Sequence, residues 1–137
     1  MATESALPAV AAFPSSGSAE LIRTVEEGLH LSCLDMLREW GLTFTEVGEL
    51  VIPPRTLKHR KAKGERLTTE ETERFLRVLR VLELGERVFG SREKLFRWLR
   101  SADELMDNRI SMSLLATESG AKRVEGQLWG IAEGFVS

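Results

Sequence analysis

Apolar side chains recur every three or four positions through most of this chain, the spacing of one helix face. Leu21, Ile22 and Val25 predict a helix from about Glu20 to Gly28. Leu34, Leu37 and Trp40 predict a second over Leu31–Trp40, stopped by Gly41. Val47, Leu50 and Val51 line a short third, Phe44–Val51. Phe75, Val78, Leu79, Leu82 and Phe89 mark a long amphipathic helix running to Gly90. Leu95, Phe96, Trp98 and Leu99 supply the bulk of a shorter helix after Ser91. Met112–Thr117 reads as a brief helix closed by Gly120, and Ala121, Val124, Leu128, Ile131 and Phe135 carry the last one. Asp103–Ser111 reads as a loop, and no run alternates apolar and polar residues as a half-buried strand would. Residues 1–19, rich in Ala, Ser and Pro, read as a mobile tail. The expected fold class is therefore all-α, with no internal repeat.

Punctuation sharpens the boundaries. Thr43 and Glu46 have the T-x-x-E spacing of a capping box, with Leu42 and Val47 placed as its hydrophobic staple. Pro53 and Pro54 end the helix before them, because proline cannot extend the hydrogen-bond ladder, and Pro54 can open the next. Thr68 and Glu71 repeat the capping box before the long helix.

The helix Pro54–Lys63 has a different pattern from all the others. Leu57 is its one large apolar anchor, while Arg55, Lys58, His59, Ala62 and Lys63 share the opposite face at 100° per residue. Pro53–Leu67 carries Arg55, Lys58, Arg60, Lys61, Lys63 and Arg66 against Glu65 alone. That local +5 stands in a chain of net charge −2, so the remainder is −7. A helix attached by one edge, with a broad basic face and a short capped helix before it, has the form of a recognition helix in a helix-turn-helix. Arg55, Lys58, His59 and Lys63 are candidates to face a DNA groove, and Arg60 and Lys61 flank them as candidate phosphate contacts.

Composition removes other classes. No apolar run is long enough to span a bilayer. The apolar patch Ala6–Phe13 follows Glu4 rather than Lys or Arg, which argues against a secretory signal. A single cysteine, Cys33, allows no internal disulfide, and its apolar helical setting points to a buried structural thiol. His30 and His59 lie far apart, so no metal site or cofactor cradle is expected. A reducing, cytoplasmic setting is the default. Glu70 and Glu71 open a helix, where acids favour the dipole, and do not read as a catalytic pair. Gly126, Gly130 and Gly134 recur every four residues with no strand before them, so they are not a phosphate loop. They allow close helix packing or leave a face open to a partner. Trp129 lies beside that face, and the sequence leaves packing and interface contact both open.

Two stretches together resemble the Xre/MbcA/ParS antitoxins, partners of RES-domain toxins. In the first, the family's helix-turn-helix motifs read Gly41-Leu42-Thr43, Arg55-Thr56-Leu57, Arg66-Leu67, Glu70-Glu71 and Arg74. In the second, its toxin-binding motifs read Val88-Phe89-Gly90, Trp98-Leu99, Leu114-Leu115, Thr117, Gly120, Val124, Leu128, Ile131 and Gly134. The resemblance covers about 95 of 137 residues. The order of motifs is specific, although each is weak alone. Met112 departs from the proline that usually opens the short helix before the Leu-Leu pair, and lysines replace some arginines of the basic helix.

After the tail at 1–19, the resemblance implies a helix-turn-helix domain at 20–84 and a toxin-binding domain at 85–137. It implies no enzyme activity in this chain. The partner would be a RES toxin that consumes NAD, its active site covered by the antitoxin. Lys122, Glu125, Trp129, Glu133 and Phe135 on the last helix and tail are the candidate toxin contacts. Promoter DNA of its own operon is the second expected partner, bound by a homodimer because a small helix-turn-helix gains affinity from paired half-sites. A stand-alone transcription regulator remains the alternative, and an adaptor with an inert basic segment a third.

Overall fold

In a computed structural model, residues 17–134 are described, which leaves Phe135 and residues 1–16 of the expected tail outside. Helix α1, Ala19–Glu27, opens inside that expected tail. The reason is Ser18, whose hydroxyl accepts the Leu21 amide at 3.0 Å as an N-cap. A 3-10 turn, Leu31–Cys33, then leads into α2, Leu34–Trp40, so the second predicted helix is α-helical only in its latter part. His30 explains the start: its ring nitrogen accepts the Ser32 amide.

Helix α3, Phe44–Leu50, carries the full capping box. Thr43 accepts the Glu46 amide at 3.1 Å and Glu46 accepts the Thr43 amide at 2.9 Å. Helix α4, Pro54–Lys63, begins on Pro54 and ends at Gly64 in the left-handed conformation. Helix α5, Thr69–Phe89, opens on the second box, with Glu71 accepting the Thr68 amide at 2.8 Å. Helix α6, Arg92–Leu99, is capped by Ser91.

The predicted loop at 103–111 is instead a small antiparallel ribbon. Strands β1, Ala102–Asp103, and β2, Arg109–Ile110, pair Ala102 with Ile110 and Asp103 with Arg109. Asp107 and Asn108 make the reversal in left-handed conformations, which these two residue types tolerate best after glycine. A 3-10 turn, Ser111–Ala116, follows, and α7 runs Glu118–Ala132. Thr117 caps α7 by accepting the Gly120 amide at 3.0 Å, so Gly120 belongs to the first turn of α7 rather than closing the turn before it. Despite the ribbon the chain is all-α in class.

The chain divides into two compact units between Phe75 and Leu76, inside α5. Leu37, Leu42, Leu50, Ile52 and Phe75 are fully buried in the first, and Leu82, Leu95, Leu99, Leu115 and Leu128 in the second. Two glycines are obligatory for backbone contact. A Cβ on Gly28 would lie 2.0 Å from the Leu67 carbonyl oxygen, and one on Gly120 would lie 1.9 Å from that of Leu114. The first contact secures the end of α1, where Leu67 also donates its amide to the Leu29 carbonyl. The second seats α7 on the 3-10 turn.

Candidate functional site

Helices α3 and α4, with the turn Val51–Pro53, form a helix-turn-helix. The turn is fixed from outside: Arg74 of α5 donates to the Val51 carbonyl at 3.2 Å. Leu57 is buried and anchors α4 to the first unit, as its lone apolar position predicts. Arg55, Lys58, His59 and Lys63 are all exposed, and none pairs with a described acid. Four adjacent free cationic or titratable side chains on one helix make an anion-seeking surface. Lys61 is exposed as well, but it stands with Leu57 at a cleft of about 700 Å³, bounded also by Leu31, Phe44 and Arg66.

Arg60 does not stand with them. Its guanidinium grips both carboxylate oxygens of Glu71, Nη1 on Oε1 and Nη2 on Oε2, the latter at 3.0 Å. Its side chain is 16% exposed and that of Glu71 only 9%. The phosphate-contact expectation for Arg60 therefore gives way to a structural role: it ties α4 to the start of α5. Burial pushes the Glu71 carboxyl up, but the Arg60 guanidinium and the Thr68 amide and hydroxyl outweigh it and hold it below the usual carboxylate range. The same hydrogen bond, foremost, raises Arg60. Arg66 is also spent on structure, donating to the Gly28 carbonyl at 3.2 Å.

The second unit presents a different surface. Ala121, Val124 and Leu128 bury one side of α7. On the other side Lys122, Gly126, Trp129 and Glu133 are exposed, and Trp129 keeps 54% of its surface open. Nothing lies within 4 Å of where a Gly126 side chain would begin, so the glycine leaves a shallow gap between Lys122 and Trp129. The open choice at Trp129 thus falls against packing within this unit. Trp40, by contrast, is core, and Trp98 is half-buried beside the Phe89 ring at 5.7 Å. Glu125 is less available than the other candidates. It pairs with Arg80 of α5 at 2.7 Å, and Arg80 also meets Glu118 at 3.1 Å. Arg77 donates to the carbonyls of Leu115 and Ala116, completing the polar border of α7.

Among the described residues no group of three or more His, Cys, Asp or Glu side chains could hold a metal ion. Cys33 is half-buried rather than buried; burial foremost, then the charge of Asp35, pushes its thiol up to about 12, which disfavours the thiolate at neutral pH. Among the described residues no helix is long and apolar enough to cross a membrane.

Residues 20–80 match the antitoxin Xre-like helix-turn-helix domain, and residues 84–134 match the antitoxin Xre/MbcA/ParS C-terminal toxin-binding domain. The chain belongs to the Xre/MbcA/ParS antitoxin family. Among its relatives, Antitoxin Xre of Pseudomonas putida KT2440 is 33% identical over 116 residues, which are 85% of this chain and 73% of that protein. Antitoxin Xre of Yersinia enterocolitica is 30% identical over 81% of this chain and 77% of its own length. That of Photorhabdus laumondii is 29% identical over 91% and 86%. The free basic face of α4 thus lies in the antitoxin's helix-turn-helix domain and the exposed Trp129 face in its toxin-binding domain, which together imply DNA and a toxin protein as partners.

Sequence reasoning missed the ribbon and what holds it. Asp103 Oδ2 accepts from Arg123 at 3.2 Å and from Gln127 at 3.1 Å, both on α7. The adjacent Asp107-Asn108 pair was the available signal, since these residues favour tight reversals.

Proposed function

We propose that this antitoxin binds a RES-domain toxin, covers the site at which that toxin consumes NAD, and represses its own operon as a homodimer on promoter DNA. The observation that carries the toxin half is Trp129, an exposed indole on α7 with an open glycine gap beside it. A large amphipathic ring ordered at the surface fits a protein interface hot spot. Lys122 and Glu133 flank it as polar rim contacts and Glu125 borders it, while the fifth candidate, Phe135, lies outside the described residues. The antitoxin acts in this reading by occlusion and supplies no catalytic group. On this reading the antitoxin works in the cytoplasm, beside its toxin and its operon.

Arg55, Lys58, His59 and Lys63 would face the groove, with Lys61 the remaining candidate phosphate contact. The DNA half rests on their freedom from internal partners. Each phosphate they neutralise adds about −0.9 to the slope of log K against log salt.

The test is co-expression with the product of the adjacent open reading frame, following growth, cellular NAD and co-purification. Rescue of growth and NAD with a stable complex is the expected result. Trp129→Asp should abolish rescue while DNA binding persists. A neighbour that is neither toxic nor bound would overturn the toxin half. The stand-alone regulator would then lead, favoured by the free basic face of α4.

A further inference from the structure

The exposed large apolar side chains of the second unit, among the described residues, are Trp129 on α7 and Leu105 and Ile110 on the ribbon. Leu105 is 83% exposed, more than any of the others. A single exposed leucine on a loose loop would mean little. This one is mounted on a fixed support. Asp103 is 7% exposed at its side chain, and its carboxylate accepts from Arg123 and Gln127 with one oxygen and from the Leu105 amide with the other, at 2.9 Å. Asn108 donates its amide to the Asp103 carbonyl at 2.9 Å, and Ser111 to that of Ser101 at 3.2 Å, which closes the base of the ribbon.

The anchor points identify the face the ribbon borders. Arg123 and Gln127 form one flank of the exposed side of α7, and the Arg80–Glu118–Glu125 cluster forms the other. At 100° per residue, Lys122, Gly126, Trp129 and Glu133 lie between those flanks. The ribbon therefore adds an apolar edge to the exposed side of α7, on the flank across from the one nearest Trp129. Both lie within residues 84–134, the toxin-binding domain.

We propose that the ribbon Ala102–Ile110 is a second toxin-contacting element, with Leu105 its apolar anchor and Ile110 in support, docking on the same toxin as Trp129. Its place on the exposed side of α7, within the toxin-binding domain, argues for that occupant over a second copy of this chain. Asp103 is a positioning residue that holds the anchor in place. The proposal rests on the toxin-binding reading above.

The experiment is competition. Tagged wild-type chain in complex with the product of the adjacent open reading frame is challenged with untagged wild type, Leu105→Ser or Leu105→Met. Leu105→Ser should compete at least tenfold less well with an unchanged thermal unfolding midpoint, and Leu105→Met should stay within threefold of wild type. Leu105→Ser competing as well as wild type would overturn the ribbon contact while leaving the Trp129 reading intact. A change in the size of the free antitoxin on gel filtration, with toxin competition unaltered, would assign the ribbon to self-association and also overturn it. Should wild type itself capture no toxin, the underlying reading and this proposal fall together.

Discussion

The two units solve opposite surface problems with the same helical vocabulary. In the helix-turn-helix unit the outward face of α4 is polar and unpaired: Arg55, Lys58, His59 and Lys63 have no described acid to meet. In the toxin-binding unit the polar residues bordering α7 are largely satisfied, Arg80 by Glu118 and Glu125, and Asp103 by Arg123 and Gln127. What stays open there includes two large apolar side chains, Trp129 and Leu105, beside the exposed Lys122 and Glu133. Unpaired cations suit a polyanion whose charges supply the missing partners and whose counterions are released. An apolar ring inside a satisfied polar border suits a folded protein that excludes water from it. The contrast lies in which groups each fold leaves unsatisfied, not in total charge.

The sharpest break of the comparison is Glu71→Ala. It removes the partner of a nearly buried guanidinium and one half of a capping box, and should cost about 3 kcal/mol in chemical unfolding. If Arg60 instead served DNA, only the capping-box share of that loss, about 1 kcal/mol, would remain. Gly120→Ala probes the other unit. Its Cβ would meet the Leu114 carbonyl oxygen at 1.9 Å, and a loss of about 2 kcal/mol is expected from forcing α7 off its turn. Loss of toxin capture with promoter binding retained would show the units fail separately. Arg55→Ala with Lys58→Ala should leave the unfolding midpoint unchanged and weaken promoter binding at least tenfold, about 1.4 kcal/mol, in a gel-shift titration. The residual binding should depend less steeply on salt.

The smallest effects are protonic, and two carboxyls on α5 should respond in opposite directions. Glu71 is held below its ordinary range, so its stabilisation is complete above the unfolded value, about 4.3, and is lost as pH falls through the lower folded value. Glu83 is raised, by burial foremost and then by Glu86, against the pull of Arg87, and its Oε2 is buried without a hydrogen-bond partner. Its favourable contribution is complete below the unfolded value and lost as pH rises through the folded one. Glu83→Gln should therefore gain stability at neutral pH, by about 1 kcal/mol or less, and flatten that limb of the profile. Thermal unfolding across pH 3 to 7, an order-of-magnitude span around the carboxylate range, checks both.

What the sequence by itself determined lies within about one helical turn. The Thr43–Glu46 and Thr68–Glu71 boxes, the Pro53-Pro54 break and the end of α4 at Gly64 involve partners no more than four residues apart, and each is visible as spacing. So was the single-anchor pattern of α4, because one helix wheel contains it. The tertiary structure decided what depends on distant partners. Arg60 and Lys61 look equivalent in sequence, yet only Arg60 meets Glu71, eleven positions away on the next helix. Asp103 finds Arg123 and Gln127 twenty and twenty-four positions on, which turns an apparent loop into a mounted ribbon. Trp129 could have been core or interface. The neighbours that bury Ala121, Val124 and Leu128 leave it outside, because exposure is set by which elements pack against a helix face and not by the spacing within it.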